Sequence, residues 1–270
     1  MLTEKAVSLH QFSHIFGQMG VVVRLYPICF FCFIGVRKLN KTHLFLAKLF
    51  LKNMKINPKE QYKFVKLILP NKEIAKGHRV LLHACCAPCS AAIVECMLRN
   101  KMKPTVFFSN SNIYPFDEYN IRKHELIRFL KEQGVPFVED EYDHKQWLTA
   151  IKGLEDEPER GSRCSACFQF RLHRAAHYAQ EHGFSLLTTT LASSRWKNIH
   201  QIDTAGHIAV GDCPDVEWWE QNWRKGGLQM RRNELLHLND FYNQLYCGCE
   251  FSLASSTAMR AKTEEGKLGE

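Results

Sequence analysis

Short apolar runs alternate with amphipathic stretches along the chain from about residue 76 onward. Apolar runs bounded by polar or turn-forming residues predict buried strands, here at Arg79–Ala84, Pro104–Phe108, Val135–Val138 and Ser185–Thr189. Between them, apolar residues at helical spacing predict helices, two of which should end at Gly134 and Gly183. Strands that alternate with helices predict an α/β domain with a doubly wound parallel sheet and helices on both faces.

The chain beyond the fourth predicted strand is expected to add a C-terminal helical layer, built from the Trp-rich stretch at 218–223 and from residues 233–253. The whole chain then divides into three parts. They are residues 1–75, a basic and partly apolar extension of unknown role; residues 76–255, the α/β domain; and residues 256–270, a tail expected to be flexible.

The N-terminal extension contains an apolar stretch, Val21–Val36, which Arg24 interrupts. The uninterrupted part from Leu25 is shorter than the roughly 20 residues that a membrane-spanning helix needs. We therefore expect a cytoplasmic protein without stable membrane association. Whether translation starts at Met54 stays open.

The net charge of +8 is unevenly distributed along the chain. Residues 1–79 carry 14 Lys and Arg against 3 Asp and Glu, whereas residues 80–270 carry 22 against 25. The basic excess thus lies in the extension, and the α/β domain is not uniformly basic. Charge alone therefore does not predict that this domain binds nucleic acid.

Eleven cysteines are many for a chain of 270 residues that is well supplied with core residues. Seven of them form three groups: Cys85, Cys86 and Cys89; Cys164 and Cys167; Cys247 and Cys249. Grouped cysteines in such a chain indicate metal or redox chemistry rather than a disulfide framework. The other four are predicted to be ordinary thiols: Cys29, Cys32, Cys96 and Cys213.

The ends of the predicted strands select candidate site residues, because ligands of α/β sheets bind outside the carboxyl ends of parallel strands. The first cysteine group follows the first strand, and thiols ahead of a helix lie near its positive end, which favours thiolate. The same rule selects polar residues after the other three strands: Asn110 and Asn112, Asp143, and Thr190 with Ser193.

The thiol groups leave three classes of protein open. Paired thiolates suit an iron–sulfur cluster or zinc, and the adjacent Cys85–Cys86 pair is unusual for a zinc knuckle. The segment Cys86–Cys89 between a strand and a helix also matches a thioredoxin-like thiol–disulfide oxidoreductase, although this leaves the four later cysteines unexplained. A zinc-stabilised RNA-binding module without catalysis is the third class.

The Cys247-Gly248-Cys249 segment has two interpretations of its own. A disulfide between residues two positions apart closes a tight ring, so it should be strained and easily reduced, as an electron relay requires. Alternatively, both sulfurs are simply metal ligands.

Seven segments in a fixed order resemble one known family: HACCAPCS, FFSNSNIYPFDEY, EYDHKQW, RCSACFQFRL, TTTLASSRWKNIHQI, RKGGLQ and YCGCEFS. They resemble the QueH-type epoxyqueuosine reductases over about Lys76 to Leu253. The resemblance implies a fold of the nucleotide-α-hydrolase, PP-loop-related type. It also implies removal of the epoxide oxygen from epoxyqueuosine at the tRNA wobble position, giving queuosine. The phosphate-binding Ser-Gly-Gly-x-Asp-Ser loop of PP-loop enzymes is absent, and HACCAPCS occupies the corresponding strand-to-helix turn. ATP chemistry is therefore not expected.

Carried onto this sequence, the resemblance implies specific roles for the grouped cysteines. A 4Fe-4S cluster would have four ligands: Cys85, Cys86, Cys164 and Cys167. Cys247 and Cys249 would form a redox-active pair. The resemblance also implies a second, single metal ion near the cluster, which we expect to be a mononuclear iron. Our candidates for its protein ligands are Cys89 and Asp143, and Asp143 is also a catalytic candidate. Such an iron would act as a Lewis acid on the epoxide oxygen. The implied partners are tRNA carrying epoxyqueuosine and an electron donor that the sequence does not identify.

The anticodon loop needs its own contacts, because such loops are bound through stacked bases and phosphates. Basic residues beside tryptophans are candidates: Arg224, Lys225, Arg231 and Arg232 near Trp218, Trp219 and Trp223. A packed tryptophan cluster under a solvated basic surface is the equally weighted alternative.

Overall fold

A computed structural model describes residues 79–268 of the chain. The extension predicted for residues 1–75, with its apolar stretch, Cys29 and Cys32, therefore lies outside the described residues. Within residues 79–268 there are five strands: β1 Val80–His83, β2 Thr105–Phe108, β3 Phe137–Glu139, β4 Leu186–Thr189 and β5 Glu217–Trp218. The same part contains seven α-helices: α1 Ala87–Arg99, α2 Phe116–Gln133, α3 His144–Ala150, α4 Ser162–Glu181, α5 Ile199–Val210, α6 Leu228–Leu238 and α7 Glu250–Leu268.

The five strands form one parallel sheet in the order β3-β2-β1-β4-β5. From β1 the chain moves outward through β2 to β3, and then returns to β4 on the other side of β1. The direction of winding thus reverses between β1 and β4. At such a reversal the loops after the two central strands diverge and leave a crevice at the carboxyl edge of the sheet.

Helices cover both faces of the sheet. Leu82 and Val106 pack in one hydrophobic cluster with residues of α1, α2 and α6. Leu81, Phe107 and Leu187 pack in a second cluster with residues of α4 and α5. Because successive side chains of a strand point to opposite faces, the two clusters lie on the two faces. The predicted α/β domain with a parallel sheet is confirmed.

The observed elements differ from the predicted ones mainly near the site and at the sheet edge. Helix α1 begins at Ala87, with Cys86 as its N-cap residue and Pro88 in its first turn, where proline is tolerated. Helix α4 begins at Ser162, so it includes both cysteines of the second group. Strand β5 was not predicted, since only two residues form it. None of the described helices is long and apolar enough to span a lipid bilayer.

Candidate active site

The first cysteine group lies at the crevice between β1 and β4. The sulfurs of Cys85, Cys86 and Cys89, which we call the thiol triad, all lie within 4.8 Å of one another. Cys86 has extended backbone and caps α1, so the chain turns from strand to helix at the triad, and the Sγ atoms of Cys85 and Cys86 are 3.7 Å apart. The sequence therefore brings three sulfur ligands together within five residues of chain.

The three thiols have different proton affinities. Hydrogen bonds from Cys86 and Cys89, aided by the charges of Lys197 and Arg171, hold the pKa of Cys85 well below its usual value. Burial raises the pKa of Cys86, and the hydrogen bond with Cys85 raises the pKa of Cys89 to about 11. The triad thus favours one thiolate, at Cys85, stabilised by two neighbouring S–H donors.

Residues distant in sequence complete the surroundings of the triad. The backbone N–H of Cys85 donates to the hydroxyl of Thr190 at 3.3 Å, and that hydroxyl lies 3.6 Å from the Cys85 sulfur as a donor. The amide nitrogen of Gln244 donates to the Cys86 sulfur at 3.0 Å. Thr190 follows β4, where the sequence predicted a ligand contact, whereas Gln244 lies in a polar stretch with no local signal of its role.

A buried polar network supports the strand ends beneath the triad. Nε2 of His83 donates to the carbonyl of Ser109 at 3.1 Å, and Nδ1 accepts from the hydroxyl of Thr189 at 2.7 Å. Burial, followed by the charge of Arg171, lowers the pKa of His83 to about 3, so this imidazole is neutral. Asn110 donates to the carbonyl of Ala84 at 2.8 Å, which ties the end of β2 to that of β1.

The second and third cysteine groups meet at one pocket. Cys164 lies in the first turn of α4, and it lines this pocket together with Cys247, Cys249 and Lys197. Burial raises the pKa of Cys164 and of Cys249, and it raises the pKa of Cys167 to about 12. All nine cysteines of the described part carry free thiols.

Two cations link the triad with this pocket. Desolvation alone would lower the pKa of Lys197, but the sulfurs of Cys247, Cys85 and Cys89 raise it above its ordinary value. Arg171 lies close enough to Cys85 and Cys167 to lower the pKa of Cys85 and to oppose the rise at Cys167. Both cations therefore stabilise negative charge on sulfurs of separate groups.

The backbone of the Cys247-Gly248-Cys249 segment is hydrogen-bonded to α2 and to the loop that precedes it. Arg122 of α2, 1% exposed, donates to the carbonyl of Cys247 at 2.9 Å and to that of Tyr246 at 3.2 Å. The N–H of Tyr114, which follows β2, donates to the carbonyl of Gly248 at 2.8 Å. These bonds fix where the two flanking sulfurs lie.

Replacing Gly248 with alanine should displace this segment. Gly248 has φ +149°, and a Cβ there would lie 3.2 Å from the side chains of Asn112 and Ile113. We expect a loss of about 1–3 kcal/mol in the free energy of unfolding, and faster alkylation of Cys249 by a thiol reagent. Gly153→Ala is the matched control, because Gly153 also has a positive φ but nothing within 4 Å of its Cβ position. Equal losses in the two variants would show that packing around Gly248 is unimportant.

The structure brings some of the predicted site residues together and separates others. Among the described residues, the triad is the one group of three or more Cys, His, Asp or Glu ligand atoms within 4.8 Å of one another. Asp143 lies outside this group and caps α3, where its carboxylate accepts the N–H of Gln146 at 2.9 Å. Cys164 and Cys167 also lie outside it and adjoin the Cys247 pocket instead.

The tryptophans expected near the anticodon loop are buried. Trp218, Trp219 and Trp223 are at most 4% exposed, so they belong to the packed core and offer no stacking surface. Arg231 is held by Glu95 at 2.7 Å. The packed tryptophan cluster of the alternative is therefore present. Of the basic residues around it, Arg231 is ion-paired, whereas Arg224 donates to the carbonyl of Lys197 at 2.8 Å and Arg232 to the side chain of Asn233 at 3.1 Å.

Comparisons with known proteins identify one family over most of the described residues. A sequence model of the family described as "Epoxyqueuosine reductase QueH" matches residues 80–255. The chain is 45% identical over 207 residues to the epoxyqueuosine reductase QueH of Histophilus somni, which covers 74% of this chain and 85% of that protein. It is 46% identical over 197 residues to the protein of the same name from Haemophilus influenzae; the match covers 73% of this chain and 80% of that protein. With the Thermotoga maritima protein of the same name, the identity is 32% over 177 residues, covering 64% and 90%.

Proposed function

The chain belongs to the epoxyqueuosine reductase QueH family of oxidoreductases, and on this premise we propose that it reduces epoxyqueuosine to queuosine at the wobble position of tRNA. In this reaction both C–O bonds of the epoxide break, a C=C bond forms, and the oxygen leaves as water after taking up two electrons and two protons. The observation that carries the proposal is that three thiols converge at the end of β1 and that Lys197, which interacts with Cys85 and Cys89, also lines the pocket of Cys164, Cys247 and Cys249. The position of the first group at a strand-to-helix turn also supports a relation to PP-loop domains.

The donor atoms fit an iron–sulfur centre. Three free thiols converge within 4.8 Å, and a donor set made of sulfur alone suits iron–sulfur clusters or zinc rather than hard cations. A cubane binds its thiolates on different irons, so ligands from two separate groups are compatible with it. We assign Cys85, Cys86, Cys164 and Cys167 to a 4Fe-4S cluster. Cys89 and Asp143 would be ligands of a second iron; Asp143 lies outside the triad and its carboxylate accepts the N–H of Gln146, so it would have to turn toward that iron. When bound, the cluster would supply single electrons and the second iron would supply a Lewis acid.

The residues around the sulfurs have roles that follow from their contacts. Lys197 and Arg171 offset the negative charge of several thiolates in a desolvated site. Gln244 and Thr190 donate hydrogen bonds to the sulfurs of Cys86 and Cys85, which orients them and tunes their basicity. These groups therefore favour the thiolate of Cys85, and they would offset the charge of the other ligand sulfurs once a bound metal had displaced their protons.

Cys247 and Cys249 suit a redox pair. Cys247 is exposed and lines the same pocket as Cys164, so an external reductant can reach it. Oxidation of the two thiols to a disulfide releases two electrons and two protons, which matches what removal of the epoxide oxygen consumes. An external donor, not yet identified, must then reduce the disulfide.

The pKa shifts within the triad disfavour the thiol–disulfide oxidoreductase alternative. A nucleophilic cysteine of that class needs a lowered pKa, whereas burial raises the pKa of Cys86, and the hydrogen bond with Cys85 raises that of Cys89. The lowered pKa belongs to Cys85, which lies outside the Cys86–Cys89 pair.

The test is turnover by the full chain purified without oxygen. After iron, sulfide and zinc have been quantified, the protein is incubated with epoxyqueuosine-containing tRNA and dithionite, and the nucleosides are analysed by mass spectrometry. We expect iron, acid-labile sulfide and conversion of epoxyqueuosine to queuosine. Iron-replete protein that leaves epoxyqueuosine unchanged would overturn the proposal. A protein that stays iron-free after reconstitution but holds stoichiometric zinc would favour the RNA-binding module.

A further inference from the structure

One tryptophan differs from all the others in its exposure. Of the five tryptophans in the chain, Trp147, Trp218, Trp219 and Trp223 are at most 4% exposed, whereas Trp196 is 72% exposed. A tryptophan ring presents a large apolar surface and is usually buried for that reason. Tryptophan is enriched at binding interfaces, so an exposed indole beside a candidate active site is a suitable contact for a partner.

Trp196 lies at the mouth of the cysteine pocket. It lines the same pocket as Cys164, Cys247 and Cys249, and it directly precedes Lys197, the cation shared by the two sulfur groups. The exposed ring is therefore next to the place where the epoxide must react.

Arg160 joins the exposed ring to the cysteines. Its guanidinium lies 6.0 Å from the centre of the Trp196 ring, and its Nε donates to the carbonyl of Trp196 at 2.7 Å. Its own backbone N–H donates to the Cys164 sulfur at 3.3 Å, and its carbonyl accepts from Gln201 at 2.8 Å. The ring is thus positioned through its backbone while its surface stays open.

The charge around the pocket mouth suits a polyanion. Arg160 is exposed at this pocket and Lys197 is half-buried, whereas Arg163 is 5% exposed and donates to the carbonyl of Glu155; Glu159 is the one acid of the lining. An aromatic surface beside cations is the combination that binds single-stranded nucleic acid, since bases stack on the ring and phosphates pair with the cations.

We propose that Trp196 stacks on a base of the anticodon loop next to the wobble nucleotide, with Arg160 beside it, and so positions the epoxide-bearing base in the pocket. This inference rests on the proposed function for the identity of the RNA. It replaces the buried tryptophans with Trp196 as the stacking residue.

The test compares Trp196→Ala with Trp196→Phe in the full-length, iron-loaded protein. The probe is a fluorescently labelled anticodon stem-loop RNA with unmodified guanosine at the wobble position, and its dissociation constant is measured by anisotropy. Loss of one stacked base should weaken binding about 5- to 100-fold in Trp196→Ala, while Trp196→Phe keeps most of the affinity. Met230→Ala is the control, because Met230 is 66% exposed on α6 and does not line the pocket.

Two further measurements separate stacking from a structural role. The other four tryptophans are buried, so RNA that stacks on Trp196 should quench part of the tryptophan fluorescence of the wild type. The fluorescence of Trp196→Phe should not change when the RNA binds. With epoxyqueuosine-containing tRNA, Trp196→Ala should raise KM and leave kcat close to that of the wild type.

Wild-type affinity in Trp196→Ala overturns the inference, whether or not the wild type turns over. Weakened binding in Trp196→Ala without turnover by the wild type would keep the RNA contact and reject the proposed reaction. Turnover by the wild type with an unchanged KM in Trp196→Ala would keep the proposed reaction and reject the stacking contact.

Discussion

Replacing Cys85 with alanine is expected to abolish retention of iron and to lower the rate of epoxyqueuosine reduction by on the order of 100-fold or more. Loss of a residue that only contacts a metal ligand commonly lowers metal affinity or activity about 10- to 100-fold, and loss of a ligand itself should cost more. Cys85 carries the lowered pKa of the triad and receives hydrogen bonds from both neighbouring thiols. Its removal takes away the thiolate that the site stabilises best. Iron and sulfide analysis, the visible absorption spectrum and turnover of anaerobically purified protein measure the effect.

Cys213→Ala is the matched control for this prediction. Cys213 is 1% exposed and packs in the hydrophobic cluster on the α4 and α5 face, so its replacement costs packing but no ligand. It should retain the iron content and turnover of the wild type. If Cys85→Ala also kept both, the assignment of the triad to the iron site would be wrong.

Replacing Arg122 with alanine is expected to cost about 3–5 kcal/mol in the free energy of unfolding, because it leaves a buried charge without its partner. Nε of Arg122 donates to Glu118 at 2.7 Å, and Glu118 is itself only 7% exposed. The same guanidinium holds the carbonyls of Tyr246 and Cys247. Turnover should fall together with stability, because the Cys247 segment loses its attachment to α2.

Urea unfolding at neutral pH measures the loss, and Lys131→Ala is the control on the same helix. Lys131 is exposed in the last turn of α2, so its replacement should change the free energy of unfolding by less than about 0.5 kcal/mol. Should Arg122→Ala fail to fold, Arg122→Lys retains the charge but cannot reach both carbonyls, and a partial loss of turnover is expected. Turnover in Arg122→Lys equal to that of the wild type would contradict the anchoring role.

Much of the fold follows from local pattern in the sequence. The buried strands are recognisable in the sequence as short apolar runs. Four of the five strands lie within about two residues of their predicted positions. The triad also follows from local sequence, because three cysteines within five residues at a strand end bring their sulfurs close together. The rule that ligands bind at the carboxyl ends of parallel strands also selects Thr190, which lies next to Cys85.

The contacts that complete the site could not be predicted in this way, because they join distant parts of the chain. Arg122 lies in an amphipathic helix and has the sequence signature of a solvent-facing charge, yet residues 124 and 125 positions further on cover it. Gln244 and Trp196 likewise carry no local mark of burial or exposure. For the tryptophans, only the packing distinguishes the four core rings from the exposed one.

The distance in sequence between Cys86 and Gln244, 158 positions, has a consequence for how the protein is made. During synthesis the triad leaves the ribosome long before Gln244, Cys247 and Cys249 exist, because the chain emerges from its N-terminal end. The early sulfurs are then exposed to whichever soft metal ion is available, without the later residues that cover them. We therefore expect correct loading to follow release of the complete chain, and a nascent or C-terminally truncated chain to accept zinc as readily as iron.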